Sequence, residues 1–134
     1  VDRYTIITHS MRFKSSEQMH RRVQKWFFDL FMIGDLKFDT IASELAIALA
    51  PFFKTTLKFC FEKSGVLKNP EDDNSTFKKI NFKDFQKYKH AGIISEGMIP
   101  KMDNAFFALK NKVEKVFICG SKAIHHQSGT LIQL

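Results

Sequence analysis

The sequence predicts an α/β domain, a three-layer αβα sandwich with a mainly parallel sheet. Three observations carry that expectation. Short β-branched or aromatic runs alternate along the chain with stretches of helical apolar spacing. Cap and stop residues bracket the helical stretches. The 134 residues, 44% hydrophobic and 26% charged, suit one ordinary globular unit. The same composition excludes disordered, collagen-like and disulfide-scaffold classes, and no run nears the roughly 18 uninterrupted apolar residues of a membrane span.

The elements follow in order. Tyr4, Thr5, Ile6, Ile7 and Thr8 make a first strand. Ser15 and Gln18 form a capping box, after which Met19, Val23, Trp26, Phe27, Leu30 and Phe31 recur at helical spacing. That amphipathic helix ends at Gly34, with Arg21, Arg22 and Lys25 on its solvated face. All four arginines lie within the first 22 residues, which marks a boundary there: 1–34 as a strand and amphipathic helix, 35–134 as the rest. Asp39 caps an alanine-rich helix that Pro51 stops. Residues 55–61 read as a strand broken by Ser64 and Gly65, and 68–75 as a solvated polar loop. Asn81 or Asp84 opens a short helix through Tyr88. Ile93 and Ile94 form a strand leading through a glycine into a helix over about 100–110. Residues 113–119 and 130–134 complete the strands.

A formal charge of +7 indicates affinity for anions: nucleic acid, membrane headgroups or a phosphorylated small molecule. Fifteen phenylalanines against two tyrosines and one tryptophan favour a packed core over a base-stacking surface, so nucleic acid is not expected as a partner, nor is a membrane. Cys60 and Cys119 sit in apolar runs without metal-ligand spacing and read as reduced, buried thiols with no sequence partner. The adjacent His125 and His126 lack a third ligand, so no metal site is expected. The first residues reach His9 and Ser10 without a long apolar stretch, which points to a cytoplasmic protein.

Three segments have chemical potential. Around Gly97, Met98, Pro100 and Lys101 a helix start would bring free backbone N–H groups, the positive end of a helix dipole and an ammonium to one spot, the outline of a phosphate site as well as a common way to begin a surface helix. Asp39 either caps its helix or orients lysines that hold phosphates. Ser64, Gly65, Val66 and Leu67 end a strand in a glycine turn, where α/β sheets bind ligands.

Taken in order and spacing, Asp39-Thr40-Ile41-Ala42-Ser43-Glu44-Leu45-Ala46, Lys63-Ser64-Gly65-Val66-Leu67, Gly92-Ile93-Ile94, Gly97-Met98-Ile99-Pro100-Lys101, Asp103-Asn104-Ala105 and Ser128-Gly129-Thr130-Leu131-Ile132 resemble the C-terminal, ATP-binding half of N-acetylglutamate kinases, of the amino-acid kinase family. The resemblance covers roughly residues 34 to 134. Phe61-Glu62-Lys63, where most members have Thr-Asp, resembles a bacterial variant whose acyl group is acetyl or succinyl.

The resemblance implies transfer of the ATP γ-phosphate to the side-chain carboxylate of N-acetyl-L-glutamate or N-succinyl-L-glutamate, in arginine biosynthesis, with Mg²⁺ bridging phosphates and a homo-oligomeric assembly. It implies that Lys101 contacts the phosphates and that Asp39 holds catalytic lysines in place. Ser64, Gly65, Val66 and Leu67 would line the nucleotide pocket, with Gly97 and Met98 at the approach to the phosphates. Departures from the pattern are specific. Lys37 stands near the position where the family motif Asn-Ala-Asp-Thr has the asparagine that touches the acyl-glutamate, so that contact is missing or replaced. Lys112 occupies the place of a glycine. Residues 1–36 contain neither the Gly-Gly-Lys strand end nor the His-Gly-Gly-Gly loop with which the family begins. The residues are therefore either part of a longer kinase or a truncated, non-catalytic nucleotide-binding or oligomer-forming module.

Overall fold

The computed structural model describes residues 4–10, 38–123 and 126–134. Its elements are β1 (Tyr4–Ser10), α1 (Phe38–Leu49), β2 (Lys54–Phe61), β3 (Lys79–Asn81), α2 (Phe82–His90), α3 (Ile99–Lys110), β4 (Lys115–Gly120), a single 3₁₀ turn (Ser121–Ala123) and β5 (Thr130–Gln133). The amphipathic helix read over 15–33, Lys37 and His125 lie outside the described residues.

Five strands form one sheet in the order β1-β2-β4-β5-β3. Parallel ladders join β2 to β4, from Thr56 opposite Lys115 to Phe61 opposite Gly120, and β3 to β5. Antiparallel ladders add β1 to β2 and turn β5 back against β4. The fold is α/β, as the alternating pattern predicts.

The central strands show why their sequences are so apolar. Leu57 and Phe59 of β2, with Val116 and Ile118 of β4, belong to the core beneath the helices. The intervening Lys58, Cys60, Phe117 and Cys119 are also buried, yet stand outside that core cluster. Both faces of β2 and β4 are therefore shielded, and burial on two sides removes the polar alternation of a half-exposed strand.

On the helical face, α1 packs against α3, β1 and β2, while α3 packs against β4 and β5. Small side chains set this spacing: Ala42 and Ala46 of α1, and Ala105 and Ala108 of α3, are all buried. Pro51 lies just beyond the end of α1. Helix α2 is capped by Asn81, whose side-chain oxygen accepts from the Asp84 amide at 2.8 Å, and it carries Lys87, Lys89 and His90 in its last turn, where the helix dipole favours cations. Its one buried side chain, Phe85, stacks on Phe106 at 5.4 Å between centroids. Each large side chain sealed in this way contributes about 1.5–3 kcal/mol.

Two local readings need correction. No strand forms at Ile93 and Ile94: their amides both turn back to the Tyr88 carbonyl, at 3.0 and 3.4 Å, and Gly92 has φ of 68°, so the chain wraps the end of α2 instead of extending. The strand expected from residue 113 begins at Lys115, because the Val113 amide still closes the end of α3 on the Ala108 carbonyl at 3.1 Å. Between them Lys112 has φ of 72°, the left-handed region that glycine enters without cost. Glycine, which the resembled pattern has at this place, would adopt the conformation without strain.

Candidate functional site

The site is built on two helix beginnings. Asp39 lies in the first turn of α1 and Lys101 in the first turn of α3, with Pro100 just before it. Packing of α1 on α3 brings the two turns together. Lys101 Nζ donates to Asp39 Oδ1 at 2.9 Å and to Oδ2 at 3.1 Å, and each side chain is only 5% exposed. The Lys101 ammonium also stands 5.7 Å from the centre of the Phe59 ring on β2. An ammonium has three protons, and two of them point at Asp39. Among the described residues the third has no hydrogen-bond acceptor.

Electrostatics here favour an added anion. A carboxylate in the first turn of α1 is stabilised by that helix dipole, whereas an ammonium in the first turn of α3 is opposed by its own. Asp39 neutralises Lys101, and what remains is the partial positive charge of two helix N-termini, each about half an elementary charge. Helix α3 has no side-chain cap at Met98: the Met98 and Ile99 amides turn back to the Ser95 carbonyl at 2.9 and 3.3 Å and Pro100 has no N–H, which leaves the Lys101 amide of the first turn for another acceptor.

Next to α3 lies a cleft of about 210 Å³, walled by Phe61, Gly65, Val66 and Leu67 on one side and by Ile93, Ile94, Ser95 and Met98 on the other. Its first wall is held rigidly. Thr130 Oγ1 accepts from the Val66 amide at 2.9 Å and donates to the Phe77 carbonyl at 2.7 Å, while the Phe77 amide donates back to the Val66 carbonyl at 2.8 Å. A side chain at position 65 would collide with Thr130 Oγ1 and Thr76 Cγ2, each 2.7 Å from an ideal Cβ, so only glycine fits this wall. At the rim, Lys63 Nζ pairs with Asp73 Oδ1 at 2.7 Å, and the hydrogen bond and charge of Asp73 hold the Lys63 ammonium above its usual range.

The residues singled out from the sequence therefore divide. Asp39 and Lys101 meet directly. Gly65, Val66, Leu67 and Met98 share the cleft. Ser64 faces away from it: its hydroxyl bonds to Thr76 Oγ1 and to the Asp73 carbonyl, and it lines a second, broader hollow of about 860 Å³ between the Lys78–Lys79 stretch and the 120–129 loop. Gly97 is exposed on the turn before α3 and lines neither recess. Lys37 lies outside the described residues. Among the described residues no group of three or more His, Cys, Asp or Glu side chains is placed to hold a metal ion, and no helix is long and apolar enough to cross a membrane.

One relationship was invisible in the sequence. Cys60 and Cys119, both buried and free, are direct partners in the β2–β4 ladder, with sulfurs 3.4 Å apart. The signal that finds them is ladder register.

Comparison with known proteins converges on one family. Residues 14–120 match the amino acid kinase family. The acetylglutamate kinase of Bacteroides fragilis is 47% identical over 95 residues, which are 71% of this chain and 36% of that protein. The acetylglutamate kinase of Phocaeicola vulgatus is 46% identical over 95 residues, covering 71% of this chain and 37% of its own length. The crystal structure of smu.665 from Streptococcus mutans UA159 superposes with a TM-score of 0.56 at 29% identity, over 71% of this chain and 34% of that one. The chain thus spans about a third of the length of the curated relatives it matches.

Proposed function

Because the chain belongs to the amino acid kinase family, we propose that it forms the nucleotide-binding part of an acetylglutamate kinase-type phosphotransferase, which moves the ATP γ-phosphate to the side-chain carboxylate of an N-acyl-L-glutamate. In this reading the acceptor is N-acetyl- or N-succinyl-L-glutamate, the step belongs to arginine biosynthesis in the cytoplasm, and the working form is a homo-oligomer.

The observation that carries the reading is the Lys101–Asp39 pair, with one ammonium proton to spare, at a helix start that has no side-chain cap and stands beside the cleft. Lys101 would neutralise charge on the transferring phosphoryl group, and Asp39 would hold the ammonium in place so that no reorganisation is needed as the reaction proceeds. The glycine-ordered wall of Gly65, Val66 and Leu67, with Ile94 and Met98 opposite, supplies apolar surface for the base. Magnesium fits as a companion of the nucleotide phosphates, neutralising their charge in transit.

Isothermal titration of the chain with magnesium–ATP tests the reading. Binding that Lys101→Ala weakens about tenfold or more, with the circular dichroism spectrum retained, supports it. Absence of binding by the unaltered chain, or unaltered affinity in the variant, overturns it. Nucleotide binding without acyl-glutamate-dependent turnover would favour a non-catalytic module.

A further inference from the structure

The face of the sheet turned away from the helical core carries an arrangement that the nucleotide reading does not use. Cys60 and Cys119 occupy facing positions on neighbouring parallel strands, and neither has any exposed surface. Their sulfurs are 3.4 Å apart, and the two thiols share a hydrogen bond. A disulfide needs about 2.05 Å between sulfurs, so each would move by roughly 0.7 Å, a displacement that side-chain rotation supplies between strands already held in register. Gly129 packs against Cys119 so closely that a Cβ on it would lie 2.7 Å from the Cys119 Cβ, which fixes this end of the pair.

The two sulfurs are chemically unequal. The hydrogen bond from Cys119 favours the thiolate of Cys60, and the charges of Lys58 and Lys101 add to it against the opposing effect of burial, drawing Cys60 down to about 7. The same partnership, with burial, pushes Cys119 up. One sulfur is thus a nucleophile near neutral pH, and the other is a proton-bearing resolving thiol at contact distance.

We propose that Cys60 and Cys119 are a redox modification site, a dithiol that closes to an intramolecular disulfide across the β2–β4 ladder when met by hydrogen peroxide and reopens under a dithiol reductant once the chain opens to admit it. The Cys60 thiolate attacks the peroxide O–O bond, takes one oxygen as a sulfenic acid and releases hydroxide. The Cys119 sulfur then attacks the Cys60 sulfur, and its proton leaves with the displaced hydroxyl group as water. In sum, two thiols lose two electrons and two protons, and hydrogen peroxide is reduced to two waters. Full burial selects a water-sized oxidant over a bulky disulfide. The inference does not depend on nucleotide binding.

The test uses the intact chain with hydrogen peroxide, quenched by an alkylating agent in denaturant and read by mass spectrometry. Only two cysteines are present, so any intramolecular disulfide is this one. The expected result is a monomer lighter by two hydrogens that takes no alkyl group, keeps its native circular dichroism before the quench and regains two alkylation sites after dithiothreitol in denaturant. In Cys119→Ala, Cys60 should be trapped as a sulfenic acid by a dimedone probe added together with the denaturant. In Cys60→Ala, Cys119 should stay unoxidised at the same dose. Two alkyl groups on the treated wild-type chain, sulfinic or sulfonic acids in place of the disulfide, or disulfide-linked dimers would each overturn the proposal, and the wild-type result decides even if a variant fails to fold.

Discussion

Asp39 and Lys101 stand 62 residues apart in the chain and are joined through both carboxylate oxygens, almost sealed from solvent. Removing one partner strands a buried charge, which costs about 3–5 kcal/mol, whereas replacing both with apolar side chains of similar volume is often neutral. Asp39→Ala and Lys101→Ala should therefore each lower the denaturation midpoint strongly. The pair of changes Asp39→Leu with Lys101→Met should restore stability to within about 1 kcal/mol of the starting protein while nucleotide affinity stays lost. Urea unfolding and calorimetric titration on the same samples separate the two effects. Full ATP affinity in the apolar double variant would remove Lys101 from the binding site.

Thr130 anchors the cleft wall with one hydroxyl that serves two backbone groups. Thr130→Val preserves shape but leaves the buried Val66 amide without its acceptor, and the cost should be about 2 kcal/mol. Hydrogen exchange should show the Val66 amide, outside β2, exchanging faster in the variant than in the unaltered chain, with the amides of β2 unchanged. Unchanged protection there would mean that the wall is held by other contacts.

Lys112 gives an opportunity in the other direction. A non-glycine residue at φ of 72° carries left-handed strain of about 1–2 kcal/mol, part of which glycine returns as chain entropy. Lys112→Gly should raise stability by about 0.5–1 kcal/mol, visible as a higher melting temperature; a lower one would show that the lysine side chain makes an offsetting contribution.

The thiol pair predicts a distinctive pH profile. Cys60 titrates at about 7 in the folded chain against 9.0 ordinarily, so between those values the unfolded chain binds more protons. Stability from this group is present above pH 9, and is lost as pH falls through 7. Cys119, pushed upward, acts with opposite sign: above its ordinary 9.0 the unfolded chain ionises first and stability falls. Relative to Cys60→Ala, the wild-type unfolding midpoint should rise from pH 7 to 9. A decline over that interval would contradict the assignment of the more acidic thiol.

How far the sequence anticipates the structure depends on which forces are local. Helices α1 and α3 and strands β2, β4 and β5 have strong apolar periodicity and clear caps or stops, and their expected positions lie within a few residues of those observed. Strand β3 is only Lys79, Ile80 and Asn81, with one apolar residue between polar ones, and it exists because β5 offers a parallel partner. Ile93 and Ile94 fail as a strand for the opposite reason: their apolar character is satisfied at the end of α2, with Ile94 entering the core. Motif alone singles out Asp39 and Lys101, but only helix packing brings them into contact. The nearness of Cys60 to Cys119 is a fact of register, which no local pattern encodes.

Strand order has a consequence for how the molecule is assembled during synthesis. The sheet's middle strand, β4, leaves the ribosome after α1, α2 and α3, and β3 reaches the sheet only through β5, the last made of the described strands. Residues 56 and 115 must close a loop of nearly sixty residues before the central parallel ladder exists. Such long-range closure gives slow, late-committing folding, in which a nascent chain ending before Thr130 holds β3 as an unpaired edge open to other strands.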